Sequence, residues 1–118
     1  MHAERKFDFY LRDILEAMRR ILFFTKGKTY KDFLNDAMMR DAVIRNFEVM
    51  GESVKHLPFS FQNKNKTLPW QSMYDLRNFI VHEYFDVDYE ILWQIIEHDL
   101  GDNIHEMEAL LHRMHAAH

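Results

Sequence analysis

Apolar residues return every three or four positions through most of this chain, the spacing of one face of a helix. From about Arg5 to Lys26 the set is Phe7, Leu11, Ile14, Leu15, Met18, Ile21 and Leu22. Gly27 then offers a stop, because glycine takes the left-handed conformation readily. Thr29 can cap a short second helix with Asp32 in its first turn. After a break at Asn35-Asp36, a run from about Ala37 to Leu57 carries Ala42, Val43, Phe47, Met50, Val54 and Leu57, and Pro58 ends it. Gly51 lies inside that run. A glycine there costs about 1 kcal/mol relative to alanine, so another helix is expected to pack closely against it.

Residues 58–68, PFSFQNKNKTL, read as the one polar loop. Pro69 suits the first position of a helix over about Trp70 to His82. Asp86 or Asp88 then caps a last helical region that starts near Tyr89. Ile91, Leu92, Ile95, Ile96, Leu100, Ile104, Met107, Leu111 and Met114 carry it to the C-terminus, and Gly101 is a point where it can kink or split. No strand-like alternation, internal repeat or low-complexity tract competes. The expectation is all-α: an antiparallel bundle of four to five main helices in a single domain over residues 1–118.

Composition supports this and narrows the function. Three Gly and two Pro leave few breakers, while eight Met and ten Phe supply long apolar side chains. The absence of cysteine excludes a disulfide framework and a thiolate zinc site, and fits a reducing compartment. The N-terminal MHAERKFDFY has no apolar signal-peptide run, and no stretch of about 18 apolar residues exists. The reading is a soluble cytoplasmic protein without a membrane partner. A net charge of −4, from 15 Lys+Arg against 19 Asp+Glu, excludes a general basic coat for nucleic acid. Any RNA contact must be local.

The chemistry concentrates in Arg77-Asn78-Phe79-Ile80-Val81-His82-Glu83-Tyr84. With about 100° between successive residues, Met73, Leu76 and Ile80 form one apolar stripe. Asn78 and His82 share a face roughly opposite, and Arg77 sits between the two. Truncating Arg77 or His82 is therefore expected to leave folding intact. Phe79 and Val81 add apolar surface on both flanks, as on a helix that is buried or lies at a subunit interface. Arginine holds phosphate oxygens and stabilises charge developing during transfer. Imidazole moves protons near neutrality. RNA brings its own nucleophile, the 2′-hydroxyl, so no metal or cofactor is required. One chain offers one such His; a two-fold dimer would offer two. On residue types alone, a satisfied core His and a salt-bridged Arg remain the commoner explanation.

The segment LPWQSMYDLRNFIVHEYFDVDYEILWQII resembles the HEPN toxins of the HepT group, which carry an Arg-x4-His-x-Tyr motif, here Arg77, Asn78, His82 and Tyr84. DFYLRDILEAMRRI is similar to that family's first helix, and DAVIRNFEVMGESVK to its AVIRN-x-E-x-x-GE segment. The likeness runs from about Phe7 to Leu111. It implies an all-α homodimer with the motifs facing each other, and a metal-independent ribonuclease that stops growth by attacking cellular RNA. It also implies a separate antitoxin, a minimal nucleotidyltransferase (MntA) that AMPylates the motif tyrosine, matching Tyr84. Glu83 stands where the family usually has Gly between His and Tyr, and Asp86 replaces a Gly after Tyr-Phe.

A second function stays open: a non-catalytic subunit of a nucleotidyltransferase complex whose Arg-His edge grips a nucleotide or the partner. A third is a purely structural dimer. Among the remaining residues, His112 and His115 have the spacing of a metal pair, though a solvated helix face explains them as well. Glu48 and Glu52 could lie near the motif or pair within their own helix with Arg45 and Lys55.

Overall fold

The computed structural model describes residues 6–82 and 87–116, and these form helices and short connections without a strand. The helices are α1 (Asp8–Thr25), α2 (Tyr30–Asn35), α3 (Ala37–Val54), α4 (Phe59–Lys64), α5 (Trp70–His82), α6 (Tyr89–His98) and α7 (Leu100–Ala116). Five are long and two have six residues each. The all-α bundle is as expected.

The helix ends follow from local chemistry. Gly27 closes α1 with φ +73°. Thr29 and Asp32 form a reciprocal capping box at α2: the Asp32 N–H donates to the Thr29 hydroxyl at 3.1 Å, and the Thr29 N–H donates to Asp32 Oδ2 at 2.9 Å. Asp36 caps α3 by accepting from the Met39 N–H. Asp88 caps α6 by accepting from the Glu90 and Ile91 N–H groups; Asp86, the other candidate, lies outside the described residues. The last helical region divides at Asp99, two residues before Gly101, so it is split as anticipated but at an earlier residue.

One expectation fails. Residues 58–68 are not a plain loop, because Phe59–Lys64 forms α4. Its polar composition hides one anchor, Phe61, which is 3% exposed and meets the rings of Phe7 at 5.3 Å and Trp70 at 6.2 Å, edge to face. Gln62 Nε2 donates back to the Leu57 carbonyl, and Asn65 Nδ2 donates to the Phe61 carbonyl. Burying one Phe contributes roughly 1.5–3 kcal/mol, enough to hold a single turn that composition alone would leave open.

Helix α3 is the centre, packed between α1 and α5, and α7 packs against α1 and α6. Leu11, Ile14, Met18 and Ile21 of α1 meet Val43, Phe47, Met50 and Val54 of α3 in one continuous core. Phe33 of α2 is fully buried against Trp93 and Tyr89 of α6. No helix among the described residues is long and apolar enough to cross a membrane.

Candidate active site on the α3–α5 seam

The mid-helix glycine of α3 shows why α5 can come so close. A Cβ on Gly51 would lie 2.1 Å from Arg77 Cβ, 2.8 Å from Arg77 Cγ and 2.9 Å from the Met73 carbonyl oxygen. Only a residue without a side chain leaves room for the stem of Arg77. The anticipated close helix contact at Gly51 is therefore present, and Arg77 is the residue that fills it.

This corrects the placement of Arg77. The spacing puts it between the two faces and leaves it dispensable for folding; its side chain is instead 20% exposed and wedged between α5 and α3. Its Nη2 forms an ion pair with Glu52 Oε1, and its Nη1 donates to Asn78 Oδ1 at 2.8 Å. Its Nε is buried and has no partner among the described residues. A guanidinium carries five N–H donors. With one given to Glu52, one to Asn78 and Nε buried, one remains on each terminal nitrogen, which is what a phosphate needs.

Of the apolar stripe, Met73 and Ile80 are buried while Leu76 is only half-buried. Asn78 is half-buried with its oxygen engaged by Arg77. His82 is exposed in the last turn of α5, four residues from Asn78, so the two stand one above the other on the helix. Phe79 and Val81 beside them are 36% and 43% exposed. The structure thus brings Arg77 and Asn78 into direct contact and places His82 one turn further along the same helix. Tyr84, with Glu83, lies outside the described residues.

The sequence leaves Glu48 and Glu52 each with two places, near the motif or paired within their own helix. Glu48 does pair within its helix, with Arg45 at 3.8 Å, but Glu52 reaches across to Arg77. The available signal was Gly51 itself, since the residue after a close-contact glycine sits beside whatever fills the gap. His115, one of the proposed metal pair, is engaged elsewhere: its Nε2 lies 3.0 Å from Asp8 Oδ1 and 3.1 Å from Arg12 Nη2. Among the described residues no three His, Asp or Glu side chains gather where they could hold a metal.

The family described as ribonuclease HepT-like matches residues 14–113, and the chain belongs to it. A HEPN-type ribonuclease of the HepT group is the class that fold and match define. One relative, a protein of Methanocaldococcus jannaschii named as a candidate RNase, is 43% identical over 102 residues, covering 86% of this chain and 84% of its own. A protein of Thermococcus cleftensis, named as a probable ribonuclease HepT, is 38% identical over 91 residues, covering 77% of this chain and 83% of its own. A candidate RNase of Caldanaerobacter subterraneus is 32% identical over 104 residues, 88% and 93% of the two chains. No solved structure matches the chain.

Proposed function

We propose that the chain is the toxin of a toxin–antitoxin pair and a metal-independent RNA endonuclease, with Arg77, Asn78 and His82 as its working residues. The observation that carries this reading is the held guanidinium: Glu52, Asn78 and Gly51 fix Arg77 five residues before an exposed His82 on the same helix. A fixed cation loses little conformational freedom on binding phosphate, so its stabilisation is available when charge develops.

In this mechanism the 2′-hydroxyl of one nucleotide attacks the adjacent phosphorus. A base takes the hydroxyl proton, the bond from phosphorus to the 5′-oxygen breaks, and an acid protonates that oxygen. The products are a 2′,3′-cyclic phosphate and a 5′-hydroxyl. His82 serves as base or acid and its two-fold mate as the other, which requires a homodimer with the two α5 helices near the axis. Asn78 orients Arg77 and completes the phosphate contact. RNA supplies the nucleophile, so the step calls for no cofactor.

A separate minimal nucleotidyltransferase antitoxin is assigned the control step. AMP transferred from ATP to the Tyr84 hydroxyl releases pyrophosphate and adds a negative phosphodiester two residues from His82. Repulsion and bulk then exclude RNA phosphate. Incubation with the cognate nucleotidyltransferase and ATP should add AMP mass to wild type and none to Tyr84→Phe.

The decisive assay is cleavage of defined RNAs. His82→Ala should lower cleavage by about 10²–10⁴-fold, the worth of general acid–base catalysis. Its thermal unfolding should match wild type because the residue is exposed. Cleavage should persist in EDTA, and a 2′-O-methyl group at the cut should block it. Loss of activity in EDTA, or a His82→Ala protein as fast as wild type, would overturn the mechanism.

A further inference from the structure

The seam between α3 and α5 continues past Arg77 into an open groove of about 380 Å³. Lys55 follows the end of α3, Phe59 and Gln62 come from α4, and Trp70, Gln71 and Tyr74 from α5. Both walls connect directly to the Arg77–Glu52 pair. Lys55 stands three residues after Glu52, and Tyr74 three before Arg77. A helical turn advances about 5.4 Å, so the groove is within reach of the nucleotide next to a phosphate held on Arg77.

Its chemistry is aromatic, amide and cationic. The Phe59 ring is 73% exposed over a wall that contains buried Trp70 and half-buried Tyr74. Open aromatic faces of this kind stack on unpaired bases. From Ser53 to Tyr74 the sequence has no Asp or Glu and carries Lys55, Lys64 and Lys66, in a chain of net charge −4. Among the described residues no carboxylate lines the groove. The carboxylate next in sequence, Asp75, accepts from Gln71 Nε2 at 2.8 Å, and Gln62 Nε2 donates to the Leu57 carbonyl at 2.9 Å. Each amide therefore has its nitrogen engaged and its oxygen left to accept, as the exocyclic amino groups of adenine, cytosine and guanine require.

We propose that this groove is a base-binding subsite for single-stranded RNA. The Phe59 ring stacks on one unpaired base beside the scissile phosphate, and the Lys55 ammonium meets a neighbouring phosphate. The proposal rests on the reading of Arg77 and His82 as an RNA-cleaving site. It adds a requirement of its own: an unpaired base at a fixed step from the cut. It also accounts for how an acidic chain engages RNA, through one local surface lined by Lys55 and no carboxylate among the described residues.

A single-stranded RNA oligonucleotide with a mapped cut is made again with one abasic nucleotide at each flanking position in turn. At one position the abasic substrate should lower wild-type kcat/KM about 10-fold, the order expected for one base–aromatic stack. Phe59→Leu should lose the same factor on intact RNA and lose nothing further on that abasic substrate. Phe59→Tyr should restore both the rate and the abasic sensitivity, and Lys55→Gln should raise KM. Superimposable thermal melts would confirm that removing an exposed ring leaves the fold intact. The same comparison read as binding, by anisotropy of the labelled oligonucleotide on His82→Ala protein, tests the subsite without turnover. Absence of any RNA cleavage by wild type defeats the active-site reading alone. Phe59→Leu equal to its parent in rate, binding and abasic sensitivity overturns the subsite, even if that variant has lost contact with a protein partner.

Discussion

Gly51 and Arg77 form a matched pair, and each variant of one is a statement about the other. Gly51→Ala places a methyl group 2.1 Å from Arg77 Cβ and 2.9 Å from the Met73 carbonyl, and the second of these is backbone that cannot swing aside. Overpacking of this kind costs roughly 1–3 kcal/mol. Gly51→Ala should therefore lower the unfolding midpoint and also reduce cleavage, although it touches neither Asn78 nor His82; a melt equal to wild type would refute the close contact. Arg77→Ala should be destabilised too, because it empties the space over Gly51 and leaves Glu52 without its partner. The cleaner probe is Arg77→Lys, which keeps a stem and a charge but loses the planar fork. It should fold like wild type and cleave on the order of 10²-fold more slowly. The motif residues were legible in sequence because their spacing is local. The burial of Arg77 was not, because helical periodicity places a residue on a face without saying which neighbour covers that face. Glu52 could be placed near the motif but not assigned to Arg77, for the same reason: the two lie on different helices.

Elements whose ends are chemically marked were readable in advance, and those held by a single distant anchor were not. Gly27, Thr29, Asp36 and Asp88 each supply a stop or a cap from their own side chain or lack of one, so α1, α2, α3 and α6 began or ended near where sequence placed them. Helix α4 has no side-chain cap, and its stability comes from Phe61 meeting Phe7 and Trp70, a contact no local pattern announces. The capped helix α2 should also be sensitive to acid. The backbone N–H of Thr29, and then its side chain, hold the Asp32 carboxyl below its ordinary value. A carboxyl depressed in the folded state adds stability that is present above its unfolded pKa and lost as pH falls through the folded one. Below about pH 4 the Thr29 amide should lose protection from hydrogen exchange while the α3 amides around Phe47 keep theirs. Asp32→Asn should remove that pH dependence; a Thr29 amide that exchanges independently of pH-specific protection in wild type would contradict the argument.

Across the whole molecule, the apolar surface that remains uncovered lies partly beside the candidate site. Phe79 and Val81 flank Asn78 and His82 on α5 at 36% and 43% exposure, and Ile91 on α6 is 49% exposed. The core that α3 organises between α1 and α5 takes in Met73 and Ile80 of α5 and leaves Phe79 and Val81 at the surface. A two-fold axis near these residues would cover them and set two copies of His82 in one site, which the proposed exchange of protons between base and acid requires. Light scattering at micromolar concentration should give about twice the chain mass of 14.4 kDa. Placing a carboxylate at each flank, as Phe79→Glu with Val81→Glu, should convert the species to monomer, because two charges would be buried without partners. Neither substitution alters Arg77, Asn78, His82 or the core stripe, so the monomer should keep its helical circular dichroism while RNA cleavage disappears. A protein that stays dimeric after both substitutions would move the interface elsewhere. A monomer that cleaves at the wild-type rate would show that one His82 suffices and would end the shared-site mechanism.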